Sequence, residues 1–321
     1  MNAAEEADTA RPLVSVVIPA YNDPEGVRVT LESVLAQTYP ETSYEIIAVD
    51  NGSDDGTQSV IRAFCGQYPD RLSLEIEDEI QGPAAARNAG IRSANGSLLA
   101  FIDADMTVEE TWLESVVAAM TENDRSYMGC NVELYDDSDE ETLVAKYDKT
   151  FGFRMERYIE ESDFAGTGCL VVRRSVFEEV GTFDDRLRFS ADREFGRRVH
   201  DAGFDQHFEP SIVMYHSARA TVSELIEKSI RTGRGKTHLR TRFPERFETR
   251  SLLDPRKYLP PHPVRFYLRA TRTEQLSKRD LIGLFAIVYL SKLCRALGEL
   301  YELAVGHNET LSSKGVQNPS R

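Results

Sequence analysis

Leu98-Leu99-Ala100-Phe101-Ile102-Asp103-Ala104-Asp105 runs from five apolar residues straight into two carboxylates spaced two apart. A hydrophobic strand that stops on a pair of acids packs poorly, but it offers hard oxygen ligands at the carboxyl edge of a sheet. A divalent ion and the phosphates it neutralises would sit there. The alternative is a helix cap, in which Asp103 and Asp105 only serve a helix start near Thr107 to Trp112.

Upstream of this stretch, strands and helices alternate. Val14 to Pro19, Tyr44 to Val49, Leu72 to Ile76 and Ser97 to Ile102 read as strands. Gly26 to Gln37, Thr57 to Tyr68 and Pro83 to Ser93 carry apolar residues at helical spacing. Such alternation implies right-handed crossovers and an α/β fold with a mainly parallel sheet flanked by helices. Ligands bind beyond the carboxyl ends of such strands, where the polar clusters Tyr21-Asn22-Asp23, Asp50 to Asp54 and Asp103 to Asp105 fall. Downstream, strands are expected at Tyr127 to Leu134, Gly168 to Arg173 and Ile212 to His216, and helices beginning near Thr142 and at Ser175 to Val180, Asp192 to Ala202 and Val222 to Leu239. A proline-rich link then leads to a last helix, Lys278 to Ala304. The expected domains are a catalytic domain at 12–220 and a C-terminal helical extension at 221–305, between disordered ends at 1–11 and 306–321.

A net charge of −15 and the lack of a long basic block exclude nucleic acid as an expected partner. Cys65, Cys130, Cys169 and Cys294 lie far apart, which fits a reducing, cytoplasmic compartment better than a disulfide framework. The polar acidic start, Met1 to Arg11, is no signal peptide. Leu281 to Leu290 is too short to span a bilayer. Continued by Leu293, Leu297, Leu300 and Leu303, it reads as a helix docked on the protein's own core, with peripheral contact of 281–303 with a membrane as the alternative.

Four motifs in order carry a family resemblance: Val14 to Asn22, Ile46 to Thr57, Gly82 to Gly90 and Phe101 to Asp105. Together they resemble glycosyltransferase family 2 over about residues 13 to 220. Each is weak alone, but four in the right order and spacing are specific. The resemblance implies a GT-A fold and an inverting enzyme that draws on a nucleotide-diphospho-sugar donor with Mn²⁺ or Mg²⁺. The acceptor would be a glycan or a lipid-linked saccharide, in cell-surface polysaccharide or glycoconjugate synthesis in the cytoplasm or at the inner face of the membrane.

It also distributes roles. Pro19, Tyr21, Asn22, Asp50, Asn51, Gly52, Arg87, Asp103 and Ala104 would line the nucleotide-sugar. The family commonly has a second acid where this chain has Asn51, an amide that can still pair with a base edge. Asp105 would hold the metal, with His216 completing the site, although a lone His is as often structural. Arg87 would serve the nucleotide or pair with an acid such as Asp103. Asp192, in a segment where Ala191 replaces the family's usual Glu, would be the general base, with a helix N-cap as its plain alternative. Arg231, Arg234 and Lys236, near Gly233 and Gly235, would either close over the diphosphate or form a solvated helix face. Two rival functions remain, a nucleotidyltransferase of related fold and an inactive nucleotide- or glycan-binding module. Against the first stands the lack of a Gly-rich basic loop at residues 20–26, and against the second the retained Asp103, Asp105 and Asp192.

Overall fold

The structure, a computed structural model, describes residues 11–136, 141–247, 254–271 and 276–313. The chain divides into two compact units, Met1–Tyr135 with Phe153–Ser217, and Asp136–Gly152 with Ala218–Arg321.

The first unit is built on one eight-stranded sheet: β1 (Val14–Ala20), β2 (Tyr44–Asp50), β3 (Leu72–Ile76), β4 (Leu98–Phe101), β5 (Met106–Val108), β6 (Tyr127–Tyr135), β7 (Leu170–Arg173) and β8 (Gln206–Ser217). The spatial order is β3-β2-β1-β4-β7-β6-β8-β5. β3, β2, β1 and β4 are parallel, while β7 runs antiparallel to both β4 and β6. The central strands are apolar on both faces because helices cover both. Val14, Val16, Val17, Ile46, Leu98 and Leu99 are all buried. Helices α1 (Pro24–Leu35), α2 (Thr57–Gln67) and α3 (Pro83–Ser93) return the chain between the parallel strands. They are followed by α4 (Trp112–Glu122). This is the mixed, mainly parallel architecture expected from the alternation.

Three local expectations change. Met106 to Val108, read as the approach to a helix, forms β5 against β8, and the helix begins only at Trp112 with Thr111 at its N-cap. Asp103 and Asp105 therefore cap no helix. In the second unit the helix expected to begin near Thr142 forms as α5 (Leu143–Phe151) with Thr142 at its N-cap, whereas α6 (Met155–Ser162) follows in the first unit without a prior signal. Residues 136–152, expected in the catalytic domain, belong to the second unit because Val144 and Tyr147 are buried with Leu225, Phe266, Leu284 and Ile287 in its core.

The first unit is completed by α7 (Arg174–Val180) and α8 (Ala191–Asp201). The second is otherwise made of α9 (Val222–Arg242), α10 (Pro263–Ala270) and α11 (Lys278–Ser313). α10 lies in the stretch expected to be an irregular link. α11 runs to Ser313, so the tail expected from 306 is helical as far as it is described. The expected ends at 1–10 and 314–321 lie outside the described residues.

Candidate active site

The strand-end motifs meet at the carboxyl edge of the first unit. β1 ends at Ala20, and Asn22, at φ 49°, turns the chain by exchanging two hydrogen bonds with Asp54 (2.9 and 3.0 Å) while its backbone N–H donates to Ser53 Oγ. Pro19 lies inside β1 opposite Val49, and the Tyr21 ring is left exposed at the edge. Asp50 ends β2 fully buried. Its Oδ2 accepts from Ser53 N–H and Gln58 Nε2, whereas Oδ1 is buried without a hydrogen-bond partner among the described residues. A buried carboxylate oxygen in that state is an acceptor waiting for a ligand N–H. Gly52, at φ 75°, makes the turn beside it.

Asn51 has another occupation. Its Nδ2 donates to the carbonyls of Glu77 and Ile80, and its Oδ1 accepts from Gly82 N–H at 2.6 Å. The amide holds the 77–82 loop and has no donor left for a base edge. Asn88, beside Arg87 on α3, is likewise structural, since it exchanges hydrogen bonds with the Phe183 backbone.

Asp103 Oδ1 accepts from Arg87 Nη2 at 2.6 Å, the ion pair that was one of the two alternatives weighed for Arg87. Arg87 Nε is buried without a partner among the described residues. Gly168, just before β7, makes room for the acid, because a Cβ there would lie 2.5 Å from Asp103 Oδ2. Ala104 follows in the turn. Asp105 takes φ 114°, a strained value for a residue with a side chain, and its N–H donates to Thr30 Oγ1 on α1. The same hydroxyl donates to the Met106 carbonyl at 2.8 Å. Thr30 lies 75 residues away in sequence and gave no signal.

His216 Nε2 lies 3.5 Å from Asp105 Oδ2. The Nδ1 atom faces the Ser217 carbonyl at 2.5 Å, which places the ring proton there and turns the Nε2 lone pair toward the carboxylate. A lone pair and a carboxylate oxygen at that spacing repel unless a cation or proton lies between them. The Asp105 carboxylate oxygen suits Mn²⁺ or Mg²⁺, whereas the His216 imidazole is a softer donor that suits Mn²⁺ better than Mg²⁺; no group of three or more His, Cys, Asp or Glu gathers as a metal site among the described residues.

Asp192 sits second in α8 rather than at its N-cap, which is Ser190. The helix is anchored by Phe195, whose ring stacks on Phe177 and packs against Phe183 and Tyr127. Burial raises the Asp192 carboxyl above the usual carboxylate range. The Arg193 N–H, Arg87 and Arg193 itself offset part of this, and Asp103 adds to it.

Arg231, Arg234 and Lys236 lie in the second unit on α9, which is a continuous helix. Arg234 Nε pairs with Glu302 at 2.7 Å and its guanidinium stacks on Tyr301. Gly233 faces the Arg295 carbonyl and Gly298 faces that of Ile230, so these glycines allow α9 and α11 to approach closely.

Residues 15–181 match the family described as Glycosyl transferase family 2. Glycosyltransferase AglE of Haloferax volcanii is 34% identical over 297 residues, 90% of this chain and 95% of that protein. The Escherichia coli protein UDP-Glc:alpha-D-GlcNAc-diphosphoundecaprenol beta-1,3-glucosyltransferase WfgD is 29% identical over 160 residues, 50% of this chain and 59% of its own. Mannosyltransferase PcManGT from Pyrobaculum calidifontis, solved with GDP-Man and Mn²⁺, superposes with a TM-score of 0.61 at 19% identity, over 92% of this chain and 89% of that one.

Proposed function

Because the chain belongs to glycosyl transferase family 2, we propose that it transfers a sugar from a nucleotide-diphospho-sugar to an acceptor hydroxyl with inversion, using a divalent ion. The observation that carries the reading is the set of acids at the strand ends: Asp103 held by Arg87 at 2.6 Å, Asp105 at 3.5 Å from His216, and Asp50 with a buried oxygen left without a hydrogen-bond partner among the described residues.

Asp192 takes the proton of the acceptor hydroxyl as its oxygen attacks the anomeric carbon. The new carbon–oxygen bond forms opposite the bond to the diphosphate, which breaks as the nucleoside diphosphate leaves, and the configuration inverts. Asp103, held by Arg87, orients the donor on the ribose side. Asp50 Oδ1 receives a base N–H, with Pro19, Tyr21, Asn22 and Gly52 shaping the edge around it. Asp105 and His216 would hold Mn²⁺ or Mg²⁺, which when bound supplies positive charge to the departing diphosphate. The ion and donor bound to PcManGT and the polyprenol-linked acceptor in the name of WfgD support a metal-assisted transfer to a lipid-linked or glycan acceptor, and a lipid-linked acceptor would bring that transfer to a membrane surface.

The test is a thermal-shift screen of nucleotide-sugars with and without Mn²⁺, followed by product analysis with the donor that stabilises the chain. A metal-dependent shift and release of nucleoside diphosphate are expected. Absence of both for every donor would leave a binding module instead.

A further inference from the structure

The two parts of the chain carry opposite charge. Residues 1–217 hold 43 Asp and Glu against 18 Lys and Arg, while residues 218–321 hold 10 against 20. A basic part in so acidic a protein marks an anionic partner.

The described surface of the second unit says of what kind. α10 turns Phe266 and Ala270 into the unit's core, with the Phe266 ring against Phe151 and Phe285. Its opposite side leaves Val264, Tyr267 and Leu268 at 59%, 54% and 57% exposure, and Leu259 just before it at 55%. Large apolar side chains that could have been buried instead stand together in water on one short stretch. In the same and the flanking stretches of sequence, Arg256, Arg265, Lys278 and Arg279 are exposed, and no acid is exposed among the described residues 254–271 and 276–282. Asp254 and Asp280, the acids present, pair with Arg256 and Lys146.

We propose that this face, Leu259 with the exposed side of α10 and its basic rim, docks on an anionic lipid bilayer. Aliphatic and tyrosine side chains enter the interfacial layer while the arginines and lysines meet the headgroups. Nucleic acid would match the charge but offers nothing to Val264 and Leu268.

The docking face is not α11. That helix is long and apolar enough to cross a membrane by length and composition. Along its length, however, Ser291 bonds to Tyr147 and Ser229, Glu299 pairs with Lys257, and Glu302 pairs with Arg234. These polar pairings belong to the core of a folded unit.

The proposal sharpens the membrane location given above without resting on the transfer chemistry, since docking is measured with no nucleotide present. The full chain is floated with vesicles of phosphatidylcholine alone and with roughly one-third phosphatidylglycerol, at about 0.15 M salt. The wild type is expected with the anionic vesicles only. Val264→Glu with Leu268→Glu should lower the bound fraction at least about tenfold, and Arg265→Glu should weaken binding in a salt-dependent way. Leu259→Ser lies outside α10 and gives the same answer if the helix variant fails to fold, as judged by its melting transition. Wild-type protein that ignores anionic vesicles, variants that bind as well as wild type, or binding to a single-stranded RNA in place of vesicles would each overturn the proposal.

Discussion

The Nε2 atom of His216 and the Oδ2 atom of Asp105 stand 3.5 Å apart although 111 residues separate them. The approach is made by β5, three residues long, whose Met106 pairs with His216 across an antiparallel ladder. Asp105 is the residue just before that pair, so the ladder register itself delivers the carboxylate to the imidazole.

If this pair holds the divalent ion, replacing either member should weaken Mn²⁺ binding to the purified protein by at least about tenfold. The measurement is Mn²⁺ titration by electron paramagnetic resonance, with His216→Ala and Asp105→Asn. The fold should survive, since β5 is held by backbone pairing and by Thr30. Unchanged Mn²⁺ affinity in both variants would return His216 to a structural role.

Asp192→Asn should reduce sugar transfer by about two to four orders of magnitude, the usual contribution of a positioned base, with donor affinity nearly unchanged. The acid limb of the wild-type pH profile should lie above the ordinary Asp value of about 3.9, because burial raises this carboxyl. The stability effect has a definite sign. A raised folded value means the charged form costs stability above it, and the cost disappears as pH falls through it. Asp192→Asn should therefore be no less stable than wild type at neutral pH, as read by urea denaturation.

Gly168→Ala tests the seat of Asp103. The added Cβ would lie 2.5 Å from Asp103 Oδ2, so the carboxylate must leave Arg87 or the backbone must shift. A loss of about 1–3 kcal/mol is expected from overpacking, together with weakened donor binding in a thermal-shift titration. Gly66→Ala is the control, because nothing lies within 4 Å of its added Cβ in α2, and it should be neutral or stabilising.

What the sequence made legible was the part governed by local pattern. The alternation placed β1 to β4 and α1 to α3 within a few residues, because each carries its own apolar period and turn residues. The strand-end acids followed from the same pattern. β5 was invisible because three residues hold no period, and its existence depends on a strand that arrives 100 residues later. The occupation of Asn51 and the grip of Thr30 on Asp105 are set by long-range hydrogen bonds, which no spacing encodes. The exposed side of α10 was missed because proline-rich flanks disguised an eight-residue helix.

Asp148 gives the clearest stability test in the second unit. It is buried at the end of α5 with Arg219 at 2.7 Å and Lys228 at 3.2 Å. Burial alone would raise its carboxyl, yet the two cations outweigh burial and hold it below the ordinary value. Lys228 shows the opposite balance, as burial pulls its ammonium down to about 8 despite Asp148. Removing the acid takes the Asp148 carboxylate away from both Arg219 and Lys228, so Asp148→Ala should cost about 3–5 kcal/mol in urea denaturation, while adding Lys228→Met should recover part of that loss. The depressed carboxyl contributes stability above its unfolded value of about 3.9, and that contribution is lost as pH falls through the lower folded value. The lysine works at the other end. Its unfolded form holds the proton up to about 10.4, so stability should rise as pH climbs from about 8 toward that value. A wild-type profile flat at both ends, or an Asp148→Ala loss under about 1 kcal/mol, would mean the cations find water or another acid when Asp148 is gone.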